Sequence, residues 1–171
     1  MKRQVAAIPV MVNDSGERRV MLMTSRETRR WVIPKGWPIK GLKSHMAAVR
    51  EAWEEAGIIG CVAKKPIGSY EYLKRLGDQF EPCNVKVFLL AVEQQSATWP
   101  EKGQREFETV SFREAAERVD EPGLKSLFET LESQGPVLTL PVRKTRVPGK
   151  KSPPTAKRKK SVSGKGPSRA P

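Results

Sequence analysis

Cysteine and histidine are scarce in this chain of 171 residues, which has two cysteines and one histidine. Cys61 and Cys83 lack the short spacing of a metal-binding pair, and one histidine cannot supply a His-rich zinc site. We therefore expect two buried, reduced thiols. Long apolar runs are also missing, because none approaches the ~20 residues that a membrane-spanning helix needs. The composition predicts a soluble, cytoplasmic protein with one domain of ordinary size.

Acidic residues are missing from the end of the chain. Segment 141–171 has eleven Lys and Arg residues and no Asp or Glu, whereas residues 1–140 carry a net charge of only +2 out of +13. The segment is rich in Pro, Ser and Gly, a composition typical of disorder. We therefore divide the chain into a domain, 1–140, and a basic disordered tail, 141–171. A lysine-rich arm binds phosphate backbones non-specifically, so nucleic acid is a candidate partner, although the tail could serve solubility alone.

The domain alternates β-rich segments with helical ones. Asn13-Asp14-Ser15-Gly16 predicts a turn between the first two strands, Ser44 can cap a helix, and Gly57 can end that helix in a left-handed conformation. Strands are predicted at 4–12, 19–24, 31–33, 61–72, 85–92 and 108–112, and helices at 44–56, 113–119 and from Pro122 to 131. This order favours an α/β fold with a mixed sheet covered on both faces.

Three glutamates in the first helix carry the chemical information. Glu51, Glu54 and Glu55 fall at i, i+3 and i+4, so their carboxylates share one helical face. They repel one another near the helix C-terminus, where the macrodipole disfavours anions. A divalent cation such as Mg2+ or Mn2+, which prefers oxygen ligands, would remove this conflict. The alternative is an ordinary solvated acidic face on which Arg50 forms salt bridges.

The residues before this helix favour the metal-site interpretation. Trp31-Val32-Ile33 predicts a short strand that leads into a Gly/Pro loop, where Gly36 allows close approach of the backbone. Together the loop and helix resemble the Nudix box, G-x5-E-x7-R-E-U-x-E-E-x-G-U, in which U is a bulky aliphatic residue. The matching positions are Gly36, Arg50, Glu51, Glu54, Glu55, Gly57 and Ile58. Ala52 and Leu42 depart from the pattern, Leu42 by replacing a glutamate.

The resemblance to the Nudix hydrolases extends over about residues 4–132 and implies a fold and an activity. The fold is an α/β/α sandwich with a mixed β-sheet and a catalytic loop–helix. The activity is Mg2+-dependent hydrolysis of a diphosphate bond, with Mn2+ as an alternative metal. The implied metal-binding residues are the Gly36 carbonyl and the carboxylates of Glu51, Glu54 and Glu55. Glu51 and Glu55 are both candidates for the general base.

Two further residues of the box bear on activity. Arg50 is expected to orient the carboxylates and to keep their pKa values low. Leu42 stands where the family has a glutamate that supports the loop–helix junction or the catalytic carboxylates, which puts full activity in doubt. In many members a fourth acid comes from a later loop, and Glu101 and Glu106 are the candidates here.

The run from Thr24 to Gly36 resembles the Nudix branch that acts on diphosphoinositol polyphosphates and diadenosine polyphosphates. These substrates are rich in phosphate, and basic side chains are suited to hold them. The candidate substrate-binding residues are Arg26, Arg30, Lys35 and Arg105. Trp37 either stacks on a base or anchors its loop by packing.

Two alternatives stay open. One is an enzyme of the same family that removes damaged nucleotides or pyrophosphate from RNA 5′ ends, for which the basic tail would be useful. The other is a catalytically impaired Nudix fold that binds a nucleotide or a nucleic acid, which Leu42 and the tail favour.

Overall fold

A computed structural model describes residues 1–143 of the chain. The predicted tail lies outside the described residues from position 144 onward. The described part contains eight strands, three α-helices and a short 3-10 helix at Gly135–Val137. The strands are β1 (Lys2–Val12), β2 (Arg18–Thr24), β3 (Trp31–Val32), β4 (Lys35–Gly36), β5 (Ile58–Val62), β6 (Gly68–Leu76), β7 (Gln79–Gln95) and β8 (Phe107–Val110). The helices are α1 (Ser44–Ala56), α2 (Phe112–Arg118) and α3 (Pro122–Gln134).

The strands form one mixed sheet with β1 and β7 at its centre. These two strands run parallel, from the pair Lys2–Cys83 to the pair Val10–Ala91. The other edge of β1 pairs antiparallel with β2 and with the short β4. The other edge of β7 pairs antiparallel with β6 and β5, while β3 and β8 both pair with β2. The prediction of a mixed sheet is confirmed.

Helices cover both faces of this sheet. Strand β1 is apolar on both sides, so its residues enter a core on each face. Ala6 and Ile8 pack on one face in a core that includes α2 and α3, and Val5 and Ala7 pack on the other face with α1. Phe128 of α3 is fully buried, and burying such a side chain contributes about 1.5–3 kcal/mol. The predicted α/β/α sandwich is therefore confirmed.

Two local predictions were wrong. The expected strand 61–72 is two strands, β5 and β6, separated by a loop that contains Pro66. Proline cannot donate to a sheet ladder, and the two strands pair with different ends of β7. Ser44 is the first residue of α1 rather than its cap; Lys43 occupies the cap position and makes no side-chain capping bond.

The remaining expectations concern cysteines and membranes. Cys83 is buried as expected, Cys61 is half-buried, and both are free thiols. Within residues 1–143, no helix has the length and apolar character needed to cross a membrane.

Candidate active site

Small side chains bring α1 close to the sheet. Ala48, Ala52 and Ala56 form a fully buried stripe along the helix, as the sequence predicted. Gly57 ends the helix with a φ of 65°, in the left-handed region that favours glycine. A Cβ at Gly57 would also overlap the ring of Trp99. The end of α1 is thus fixed against the loop that carries Trp99.

Gly36 lies directly beneath the first carboxylate of the helix. Strand β4 pairs with β1 through Val5 and Gly36, which places it below α1. A Cβ at Gly36 would overlap the carboxylate of Glu51. Only glycine leaves room for that carboxylate, which explains why the loop and helix motifs occur together.

The loop 96–106, between β7 and β8, supplies donors to the C-terminal carbonyls of α1. The backbone N–H of Glu101 donates to the Glu54 carbonyl (3.1 Å), and that of Ser96 donates to the Gly57 carbonyl (2.8 Å). The amide side chain of Gln95 donates to the Ala56 carbonyl (2.9 Å). These bonds satisfy helix-end carbonyls that otherwise lack partners and place Glu101 beside the helix glutamates.

Arg105 of the same loop joins two of the carboxylates. Its side chain is only 6% exposed, and its Nη2 lies 3.4 Å from Glu55 Oε1 and 3.4 Å from Glu101 Oε1. Its Nη1 donates to the Thr24 carbonyl (3.1 Å). The backbone N–H of Lys35 donates to Glu55 Oε2 (3.4 Å). Glu55 is therefore held from two sides by groups from different elements.

Burial controls the protonation of two of these carboxylates. It raises the pKa of Glu55 to about 7, although the charges of Arg105 and Lys35 oppose the shift. Burial also raises the pKa of Glu51, and the like charge of Glu54 adds to it. The expectation that Arg50 keeps the carboxylate pKa values low was wrong for Glu51. Arg50 is exposed and pairs with Glu54 at 2.8 Å. Its charge lowers the pKa of Glu51, but burial and the charges of Glu54 and Glu101 outweigh it.

The carboxylates face one cavity of about 550 Å³. It is lined by four acidic side chains, four basic ones and a mixed polar and apolar rim. The acids are Glu51, Glu54, Glu55 and Glu101, the bases are Arg26, Lys35, Arg50 and Lys74, and the rim is Gln4, Gly36, Trp37, Pro38 and Ile39.

The donor set fits a divalent metal chemically. Across residues 1–143, no three acidic, histidine or cysteine side chains already stand in a metal-binding cluster. Glu54 is turned towards Arg50 and Glu55 towards Arg105. All four acids nevertheless line the same cavity, and their oxygens are the ligand type that Mg2+ and Mn2+ prefer. Burial and the charge of Glu54 raise the pKa of Glu51, and a cation between the acids would relieve the repulsion part of this effect.

The predicted substrate-binding residues divide into two groups. Arg26 and Lys35 line the cavity. Arg30 does not, because its Nη1 lies 3.1 Å from Glu121 and 3.5 Å from Asp120. Arg105 does not line the cavity either, because it is buried between Glu55 and Glu101. Arg26 also has a carboxylate partner, Glu101 at 3.2 Å, but it lines the cavity and the other two arginines do not.

Other candidates are also separated by the structure. Glu101 lines the cavity, whereas Glu106 is exposed and pairs with Arg29 at 3.3 Å. Leu42 is 42% exposed and lies outside the cavity lining. Lys74 of β6 lines the cavity but was missed. The alternation of β6, which places Tyr72 and Lys74 on one face, was its only sequence signal.

Comparisons with known proteins agree with the fold and the motif. The NUDIX domain model matches residues 1–131. Nudix hydrolase 16, mitochondrial, of Arabidopsis thaliana is 32% identical over 111 residues, which are 63% of this chain and 61% of the relative. This chain therefore spans about three-fifths of that relative's length.

Solved structures at low identity share the fold. Caenorhabditis elegans Ap4A hydrolase is 16% identical with a TM-score of 0.56, over 78% of this chain and 98% of that one. The Escherichia coli dihydroneopterin triphosphate pyrophosphohydrolase is 14% identical with a TM-score of 0.59, over 75% and 92% of the two chains. Since the family model matches more than half of the chain, this protein belongs to the Nudix family.

Proposed function

We propose that the protein is a Mg2+-dependent hydrolase that cleaves a diphosphate bond in a phosphate-rich substrate, such as a diadenosine or diphosphoinositol polyphosphate. One observation carries the proposal: the three carboxylates of α1, the Gly36 loop and Glu101 line a single cavity together with four basic side chains. Phosphoryl transfer depends mainly on positioning and charge neutralisation, and this arrangement provides both.

The carboxylates take separate roles in this proposal. Glu51, Glu54 and the Gly36 carbonyl hold the metal, and Glu101 completes the set from the loop 96–106. A bound Mg2+ would polarise the phosphate and lower the pKa of the attacking water. Arg50 orients Glu54 through their ion pair of 2.8 Å. Mn2+ is the alternative metal, since it prefers the same oxygen ligands.

Glu55 is the proposed general base rather than a principal metal ligand. Arg105 occupies one of its oxygens and the Lys35 N–H the other, which fixes the carboxylate in place. Its pKa of about 7 lies near neutral pH, where a general base is most effective. Glu51 was the other candidate, but its position above Gly36 suits metal binding better.

Substrate binding is assigned to Arg26 and Lys35, which line the cavity beside the carboxylates. Arg30 and Arg105 are left out, because neither lines the cavity. The Ap4A hydrolase named above shares the fold, which is compatible with a polyphosphate substrate here. Positive side chains in the same cavity as the carboxylates favour a substrate with four or more phosphates.

The test is a panel of substrates with and without Mg2+. Diadenosine polyphosphates and diphosphoinositols should turn over faster than nucleoside triphosphates, and only with the metal. Glu54→Gln should lower turnover by at least about 100-fold through loss of a metal ligand. Glu129→Gln, an exposed glutamate of α3, is the matched control and should leave turnover unchanged.

The other outcomes point to the alternatives. Faster turnover of an oxidised nucleotide or of triphosphorylated RNA would replace the polyphosphate proposal by one of those substrates. No metal-dependent hydrolysis across the panel would favour a Nudix-fold binding module, to which Leu42 points. Location in the cytoplasm stays a prediction, and the Arabidopsis relative carries the word mitochondrial in its name.

A further inference from the structure

Two lysines at one wall of the cavity are each held over an aromatic ring. Lys35 Nζ lies 5.5 Å from the centre of the Tyr72 ring, and Lys74 Nζ lies 5.5 Å from the centre of the Trp37 ring. Lys35 and Trp37 come from the chain at β4, whereas Tyr72 and Lys74 come from β6. Each segment thus contributes one lysine and one aromatic ring, and each lysine contacts the ring of the other segment.

This arrangement positions the ammonium groups without neutralising them. Within residues 1–143, no carboxylate oxygen lies within 4.0 Å of either Nζ. Glu81, which faces Lys74 across the hairpin, instead pairs with Lys2 at 3.8 Å. The two cavity arginines differ, because Arg26 and Arg50 are both paired with cavity glutamates.

The two lysines are also close enough to influence each other. Burial lowers the pKa of Lys35, Glu55 and Glu121 oppose this, and the positive charge of Lys74 adds to the lowering. An anionic ligand placed between the two lysines would relieve the repulsion between them. Tyr72 is fixed in turn, because its hydroxyl donates to Oε1 of the buried Gln4 at 2.6 Å.

We infer that Lys74, together with Lys35 and supported by Trp37 and Tyr72, forms a subsite for a substrate phosphate beyond the diphosphate that is cleaved. The inference rests on the proposed function, since the carboxylate end of the cavity holds the scissile diphosphate. The ligand is a phosphate group, because this wall presents two ammonium groups that have no carboxylate oxygen of residues 1–143 within 4.0 Å. The subsite therefore selects substrates by the number of their phosphates.

Inorganic tripolyphosphate and pyrophosphate are the probes, measured as competitive inhibitors in the presence of Mg2+. Lys74→Met keeps the length of the side chain over Trp37 and removes its charge. It should weaken tripolyphosphate inhibition about tenfold, the effect of one charge-assisted hydrogen bond, and leave pyrophosphate inhibition unchanged. Lys74→Arg should restore most of the loss. Lys64→Met, which removes an exposed charge outside the cavity, is the control.

Several results would overturn the inference. Equal weakening of both probes would mean a general electrostatic effect, and no weakening of either would mean that Lys74 does not contact phosphate. A loss limited to nucleotide substrates, with both inorganic probes unaffected, would make this wall a nucleobase site. Unchanged thermal unfolding of Lys74→Met establishes that the variant is folded. If wild type hydrolyses nothing, direct titration of the two probes replaces the inhibition assay. Tripolyphosphate binding that is weakened by Lys74→Met would then mean that the proposed function fails and the subsite stands.

Discussion

Glu55 shows how one residue is tuned by groups from several parts of the chain. Its carboxyl is 12% exposed, and burial raises its pKa to about 7. Arg105 and Lys35 favour its charged form but do not cancel the cost of burial. Ionisation of Glu55 therefore lowers the stability of the metal-free protein. Shifted pKa values of this kind are often found at functional sites.

Glu55→Gln should lower turnover by about 100-fold or more, the usual contribution of a general base. It should also change the pH dependence of stability in EDTA. Since the folded pKa lies above the unfolded value of 4.5, the stability linked to Glu55 is complete below pH 4.5 and lost as the pH rises through 7. The melting temperature of Glu55→Gln relative to wild type should therefore increase between these values and then level off.

Thermal unfolding of both proteins from pH 4 to 9 provides the measurement. Glu129→Gln is again the control, since this glutamate is exposed on α3. A constant difference between Glu55→Gln and wild type over this range would mean that the pKa of Glu55 is not raised in the folded protein.

At the level of elements, the site depends on the loop 96–106 being joined to α1. The Glu101 N–H bonds to the helix, Trp99 covers Gly57, and Trp99 stacks edge-on with Phe107 at 5.9 Å. Arg105 then bridges Glu55 and Glu101 across the two elements. The helix supplies three carboxylates, and Arg105 of the loop holds one of them, Glu55.

Arg105→Met should reduce the free energy of unfolding by about 3 kcal/mol, because it leaves two partly buried carboxylates without their shared partner. Arg105→Lys should lose less, since it keeps the charge but not the forked geometry that reaches both. Urea unfolding measures the change, with Arg113→Met on the exposed surface of α2 as the control. Equal stabilities of Arg105→Met and Arg113→Met would show that the bridge contributes nothing.

At the level of the whole molecule, the cavity is built entirely from residues between Gln4 and Glu101. Most of the net positive charge of the protein lies in the basic tail, 141–171. This separation predicts that the cavity binds small substrates without help from the tail. Binding of the tail to a polyanion would be sensitive to salt.

Deleting residues 144–171 should leave kcat/KM for a small polyphosphate substrate within about twofold of wild type, since changes outside a site usually have small effects. Binding to RNA at low salt should fall strongly, because this segment carries ten basic residues and no acidic ones. Steady-state kinetics and a salt titration of RNA binding measure the two effects. A large loss of small-substrate activity would mean that the tail reaches the cavity.

Local patterns in the sequence predicted much of the fold. The turn at Asn13 forms as expected, with its Oδ1 accepting from the N–H groups of Ser15 (3.1 Å) and Glu17 (2.8 Å). The alanine stripe and Gly57 of α1 were also predicted, because helical periodicity and left-handed caps depend on nearby residues. Pro66, preceded by Lys64 and Lys65 and followed by Gly68, marked the break between β5 and β6, and the predicted strand 61–72 passed over this signal.

What the sequence by itself determined is the family, the glutamate face of α1 and the place of Gly36 before it, because each depends on spacing along the chain. Only the tertiary structure distinguished Glu101 from Glu106, removed Arg30 and Arg105 from the cavity lining, and brought Lys74 into it. Which side chains line the cavity depends on which distant segments pack together, and this cannot be predicted from the order of charges along the chain. The pKa of Glu55 belongs to the same class, since burial is a property of the packed molecule.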